Sequence, residues 1–131
     1  MKNHRALEQT IVSDIKSHSQ KRACLDILLS LDGDSEERRK HNYKFNQIYQ
    51  KIKTRNSLRD TIDALTYLSG SKCQFLKQLY QFIDDNGELH HIDHRSVLKA
   101  TRENQFFHPE TGERVEDFEK KIFIVYLINN E

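Results

Sequence analysis

The sequence predicts an α+β protein, an N-terminal bundle of four to five helices followed by a small C-terminal β element, with a winged-helix-like outline as one form of it. Three observations carry this. Apolar residues keep helical spacing through most of residues 4–83, and one proline and four glycines in 131 residues are too few for a many-turned β sandwich. After residue 83 the pattern changes to turn pairs, short runs and a closing stretch rich in Ile, Val, Phe and Tyr. A chain of this length suits one domain, 1–131, with a helical part at 1–83 and a mixed part at 84–131.

Leu7, Ile11, Val12 and Ile15 recur at helical spacing, and Leu25, Ile27, Leu28, Leu29 and Leu31 form a nearly solid second set. Residues 4–32 therefore read as two helices, or one bent at Ser17 to Ser19, stopped at Gly33. Ser35 is placed to cap the next helix, where Glu36 and Glu37 oppose the positive end of the dipole. Tyr43, Phe45, Ile48, Tyr49 and Ile52 mark its apolar face. Ser57, with Asp60 three residues on, is a variant capping box for a segment carrying Leu58, Ile62, Leu65 and Leu68. Ser69-Gly70-Ser71 ends it, and a further helix is expected from Lys72 to Ile83, with Leu76, Leu79, Tyr80 and Ile83 on one side.

Asp84-Asp85-Asn86-Gly87 then forms a stop or tight turn, because Asn and Gly tolerate positive φ. Glu88 to Ile92 reads as a short strand, and Asp93 as the cap of a short helix from His94 to about Glu103. In His108-Pro109-Glu110-Thr111-Gly112 the proline pre-sets a turn that the glycine completes. Lys120 to Ile128 reads as a buried strand, although Val115, Phe118, Ile122 and Val125 also keep helical spacing.

The near-neutral total charge hides strong segregation. Arg38, Arg39, Lys40, Lys44, Lys51, Lys53, Arg55 and Arg59 fall in a window without Asp or Glu, giving +8, against −2 before it and −5 after it. Like charges at this density repel unless an anionic surface answers them. That surface is a nucleic acid, an acidic partner protein, or the chain's own acidic C-terminal third; the remaining alternative is a basic run that is simply solvated. Two helices joined by Ser69-Gly70-Ser71 also outline a helix-turn-helix, which would add Lys72 and Lys77 to the basic set, with the hairpin near Pro109 as a wing.

Enzyme chemistry finds less support. Phe82 to His94 holds four carboxylates, three histidines and a glycine. Set on an EF-hand loop, this stretch puts Phe82 where the first oxygen ligand belongs and Asp93 where a bidentate Glu belongs, so calcium lacks donors. For zinc, His90, His91 and His94 straddle the end of a strand, and His108 lies far away. There is no nucleophile elbow, P-loop or dinucleotide fingerprint. Cys24 and Cys73, far apart and without CxxC neighbours, read as small buried hydrophobes.

The expectation is thus a small non-enzymatic regulatory protein without metal or cofactor. It binds nucleic acid, DNA first, through the ten basic residues named above. The alternative is an adaptor or inhibitor docking on an acidic or apolar protein surface, and a metal-dependent hydrolase comes third. No apolar run approaches the ~20 residues of a membrane helix, and Met1 to Thr10 is polar, so a cytoplasmic protein is expected.

Overall fold

Short polar side chains start most of the helices in the computed structural model, which describes residues 4–129. Helix α1 spans His4–Asp14, α2 His18–Asp32, α3 Glu36–Arg39, α4 Phe45–Ile52, α5 Leu58–Leu68 and α6 His94–Glu103. The caps fall where the sequence puts them. Ser35 Oγ accepts the Arg38 amide at 3.1 Å, Ser57 Oγ the Asp60 amide at 3.1 Å, and Asp93 Oδ1 the Ser96 amide at 2.7 Å. The bend at Ser17 is a full break, and Ser17 caps α2.

Strands β1 (Tyr43–Lys44), β2 (Leu76–Ile83), β3 (Leu89–Ile92) and β4 (Ile122–Ile128) form one antiparallel sheet in the order β1-β4-β2-β3. The fold is therefore α+β; of the stretch Lys120 to Ile128, Ile122–Ile128 forms a strand that buries only Val125 and Tyr126, and Lys120 ends a 3-10 turn, Phe118–Lys120. The register of β2 on β3 sets Phe82 opposite His90 and Gln81 opposite His91. Because side chains alternate along a strand, His90 shares the face of Phe82 and is buried with it, while His91 lies on the other face, itself exposed opposite the buried Gln81.

Two expectations are corrected. The segment Lys72 to Ile83 is not a helix. Residues 71–73 turn, Gln74 takes a left-handed φ of 53°, and β2 follows. Leu76, Leu79, Tyr80 and Ile83 fit a helical face by coincidence, while the aromatic and β-branched residues favour the strand. The helix expected from Ser35 through Ile52 is broken too, into α3, β1 and α4.

The chain gathers into two compact units, one formed by the chain up to Gln78 together with the segment from Tyr126, the other by Leu79–Val125. In the first unit, Ile11, Ile27, Leu28, Leu31, Tyr43, Ile48, Leu65, Leu68 and Phe75 are essentially inaccessible. Cys24 and Cys73 pack there as free, buried thiols, and burial, with Cys73 nearby, pushes the Cys24 thiol up to about 12. The second unit has a smaller core of Phe82, Ala100, Phe106 and Phe118, flanked by Ile92, Val115 and Ile122. Gly87, at φ +81°, closes the turn between β2 and β3, where a side chain would be strained. Among the described residues no helix is long and apolar enough to cross a membrane.

Candidate nucleic-acid interface and the Asp84 cluster

The basic window is largely answered from within the first unit. Arg38 donates to Asn42 O at 3.1 Å and Gln47 Oε1 at 3.3 Å, and its guanidinium lies 3.9 Å from the Tyr43 ring centre. Arg39 meets Asp32 at 3.4 Å, Lys40 meets Glu37 at 4.0 Å, Lys51 meets Asp34 at 2.8 Å and Arg55 meets Asp26 at 3.6 Å. The neutralising acids thus come from the α2 to α3 region rather than from the C-terminal third. Burial pushes the Asp34 carboxyl up, but hydrogen bonds from Lys51 and Tyr43 and the charges of Lys51 and Arg38 outweigh it and hold the group low. Burial and the Asp34 carboxylate push the Tyr43 hydroxyl up to about 12.

Lys44, Lys53 and Arg59 are exposed and make no ion pair among the described residues, and the Arg55 side chain stays 65% exposed despite its contact. Lys72 does not join them as expected. It lies in the turn before β2 and meets Asp14 at 3.5 Å, while Lys77 is exposed on β2.

Lys53, Arg55 and Arg59 fall within seven residues at the junction of α4 and α5. Buried Asn56 donates to Asp26 Oδ2 at 2.8 Å and to Ile52 O at 3.0 Å, tying the connecting turn to α2 and to the end of α4. The Thr61 hydroxyl donates to Ser57 O at 2.8 Å beneath the Ser57 cap. Helix α5 buries Thr61, Ala64, Leu65 and Leu68, leaving Leu58, Arg59, Ile62 and Thr66 exposed. Ser57→Ala should lower stability by about 1 kcal/mol in urea unfolding. A loss below a few tenths would show that the cap is dispensable.

In the second unit His90, His91 and His94, weighed as zinc candidates, do not gather. His91 is exposed, and His94 pairs with the Tyr80 hydroxyl at 3.1 Å. His90 instead meets two residues distant in sequence. Its Nε2 lies 2.9 Å from Asp84 Oδ2, and His108 Nε2 lies 3.0 Å from the same oxygen, all three side chains being nearly inaccessible. The three ligand-capable atoms lie within 4.8 Å of one another, close enough to share an ion.

Hydrogen bonding decides against that use. The amides of Glu110 and Thr111 donate to His108 Nδ1 at 3.0 and 3.2 Å. The ring proton must then sit on Nε2, where it donates to Asp84. A ligating Nε2 needs the opposite tautomer, with Nδ1–H donating outward. Asp84 Oδ1 meanwhile accepts the amides of Asn86 at 3.0 Å and Glu88 at 2.9 Å. The hydrogen bonds from His108 and His90, and after them those amides, overcome burial and hold the carboxyl well below the usual carboxylate range. Asp84 is thus a four-bond staple joining the β2–β3 turn to the His108 turn. A cavity of about 310 Å³ opens beside it, lined by both charge signs, and Lys121 there is already bound to Asp85 at 2.9 Å.

Nothing in the sequence signals that Asp84, His90 and His108 meet, because the first and last are 24 positions apart. Sequence reasoning likewise missed Asn56, whose tie to Asp26 spans 30 residues. Among protein-family models, curated proteins and solved structures, none matches the chain.

Proposed function

We propose that the protein binds duplex DNA through α4, the turn at residues 53–57 and α5, acting as the helix-turn-helix of a winged-helix-like unit. The observation that carries this reading is the cluster of solvent-facing Lys53, Arg55 and Arg59 around the exposed first turn of α5. In helix-turn-helix proteins the start of the second helix meets the bases, and cations around it meet phosphates. Chain order agrees. Leaving aside α3, β3 and α6, the succession α2, β1, α4, α5, β2, β4, with β4 between β1 and β2, resembles that of a winged helix, and residues 84–121 would stand in the wing's place in the sequence. This moves the helix-turn-helix one helix earlier than the outline at Ser69-Gly70-Ser71. Within the basic set, Lys53, Arg55 and Arg59 carry the contact and Lys44 supports it. Arg38, Arg39, Lys40 and Lys51 mainly hold the unit together, and Lys72 and Lys77 lie outside the helix pair.

Fluorescence anisotropy with a mixed-sequence duplex tests this. Affinity should fall steeply between roughly 50 and 200 mM salt, with the double variant Lys53→Glu, Arg59→Glu binding more weakly by on the order of tenfold or more and with a salt slope reduced by about two. Binding indifferent to salt, or unchanged in the variant, would overturn the reading. The exposed Leu58 and Ile62 favour a second reading, an apolar partner protein docked on α5. In that case the charge reversals would matter little, and Leu58→Ala with Ile62→Ala would abolish the complex.

A further inference from the structure

Leu58 and Ile62 are 50% and 48% exposed, although α5 has a fully buried face to offer apolar side chains. They stand four residues apart, one above the other on the helix, and Thr66 continues the line. Arg59 flanks them on one side. Asp60 and Asp63 turn further around the helix, and Asp63 is held by Gln20 Nε2 at 3.1 Å. The result is a short aliphatic stripe flanked on the helix by Arg59, with the exposed cations Lys53 and Arg55 in the turn that leads into it. A partner matching it is anionic at its rims and apolar in its centre.

Duplex DNA offers that combination in one place. On the floor of the major groove the only apolar group is the C5-methyl of thymine, with phosphates along both walls. RNA does not fit, because its major groove is too deep and narrow for side chains to read and uracil lacks the methyl. Resting on the reading of α5 as the helix that enters the groove, we infer that Leu58 and Ile62 recognise thymine through its methyl group, so that the protein prefers thymine-bearing sites.

The test uses the full chain and two alternating duplexes, one of adenine and thymine, the other identical with deoxyuridine for every thymidine. Each buried methyl contributes about fourfold to affinity, so the thymine duplex should bind on the order of tenfold more tightly. Leu58→Ala with Ile62→Ala should bind both duplexes alike, still with salt dependence; both side chains are solvent-facing, and circular dichroism verifies the fold. Lys53→Glu with Arg59→Glu should weaken both duplexes and leave their ratio intact. Equal binding of the two duplexes by the wild type would overturn the thymine inference while leaving the DNA reading standing. Failure to bind either duplex at low salt would overturn both and assign the stripe to a protein partner.

Discussion

Phe82→Ala should destabilise the second unit by about 3–5 kcal/mol, the usual range for removing a buried aromatic ring. Phe82 is 1% exposed and meets Phe106 edge-on at 5.0 Å between ring centres. It also stacks on His90 at 5.6 Å and meets His108 edge-on at 5.5 Å. A core with few other large buried side chains has little with which to fill the cavity left behind. The same ring fixes the two histidines that hold Asp84, so packing and hydrogen bonding fail together. Urea unfolding gives the size of the loss, and amide exchange locates it. Gln81 and His91, paired across β2 and β3, should lose protection before residues of α2 and α5. A loss under about 1 kcal/mol would mean that this core repacks freely, contrary to the dependence on Phe82 argued above.

Asp84→Ala should have an effect of the same order in kind, through unsatisfied polar groups instead of a cavity. Two ring N–H groups and two amides lose their acceptor, and those of His90 and His108 are nearly shut off from water. The pH dependence supplies a signature that packing defects lack. The folded Asp84 carboxyl titrates below its unfolded counterpart, held there first by His108 and then by His90. Its contribution is therefore complete above about pH 4 and is lost as pH falls from there through the folded value. Amide protection in the β2–β3 turn should follow that acid limb in the wild type. Asp84→Asn, less stable at neutral pH, should show a flatter one. Asp34 in the first unit and Asp93, held low by the Ser96 amide, in the second add acid limbs of their own, so the Asp84 contribution is the difference between wild type and Asp84→Asn at amides of the β2–β3 turn. Identical acid limbs for wild type and Asp84→Asn would remove Asp84 from this role.

Local rules made much of the fold legible. Ser35, Ser57 and Asp93 announce helices because their side-chain oxygens satisfy amides two or three residues on, a relation contained within one turn of sequence. The turn at Asp84 to Gly87 follows from positive φ at Gly87 for the same reason. What was hidden depended on partners far along the chain. Leu76 to Ile83 carries spacings compatible with either helix or strand, and only pairing with β3 and β4 settles the choice. The basic window looked unanswered because its partners, Asp26, Asp32 and Asp34, lie just before it, where composition counted them in a different segment. His90 was visible as a candidate. Its partners were not, since the chain returns to it only at His108.

The order in which the strands are made has a consequence for biosynthesis. Strand β4 lies between β1 and β2, Tyr126 belongs to the core of the first unit, and the Asn129 amide donates to Phe75 O at 2.9 Å. Tyr126 and Asn129 arrive, and β4 is completed, only after the 47 residues of Leu79–Val125 have been translated. At ribosomal speeds of about 5–20 residues per second that interval lasts about 2–10 s. Until it ends α1 to α5 exist without the complete strand that joins β1 to β2, and the edges that β4 will cover stay unpaired. A ribosome halted within the inserted segment therefore holds a sticky nascent chain, not a finished helical bundle.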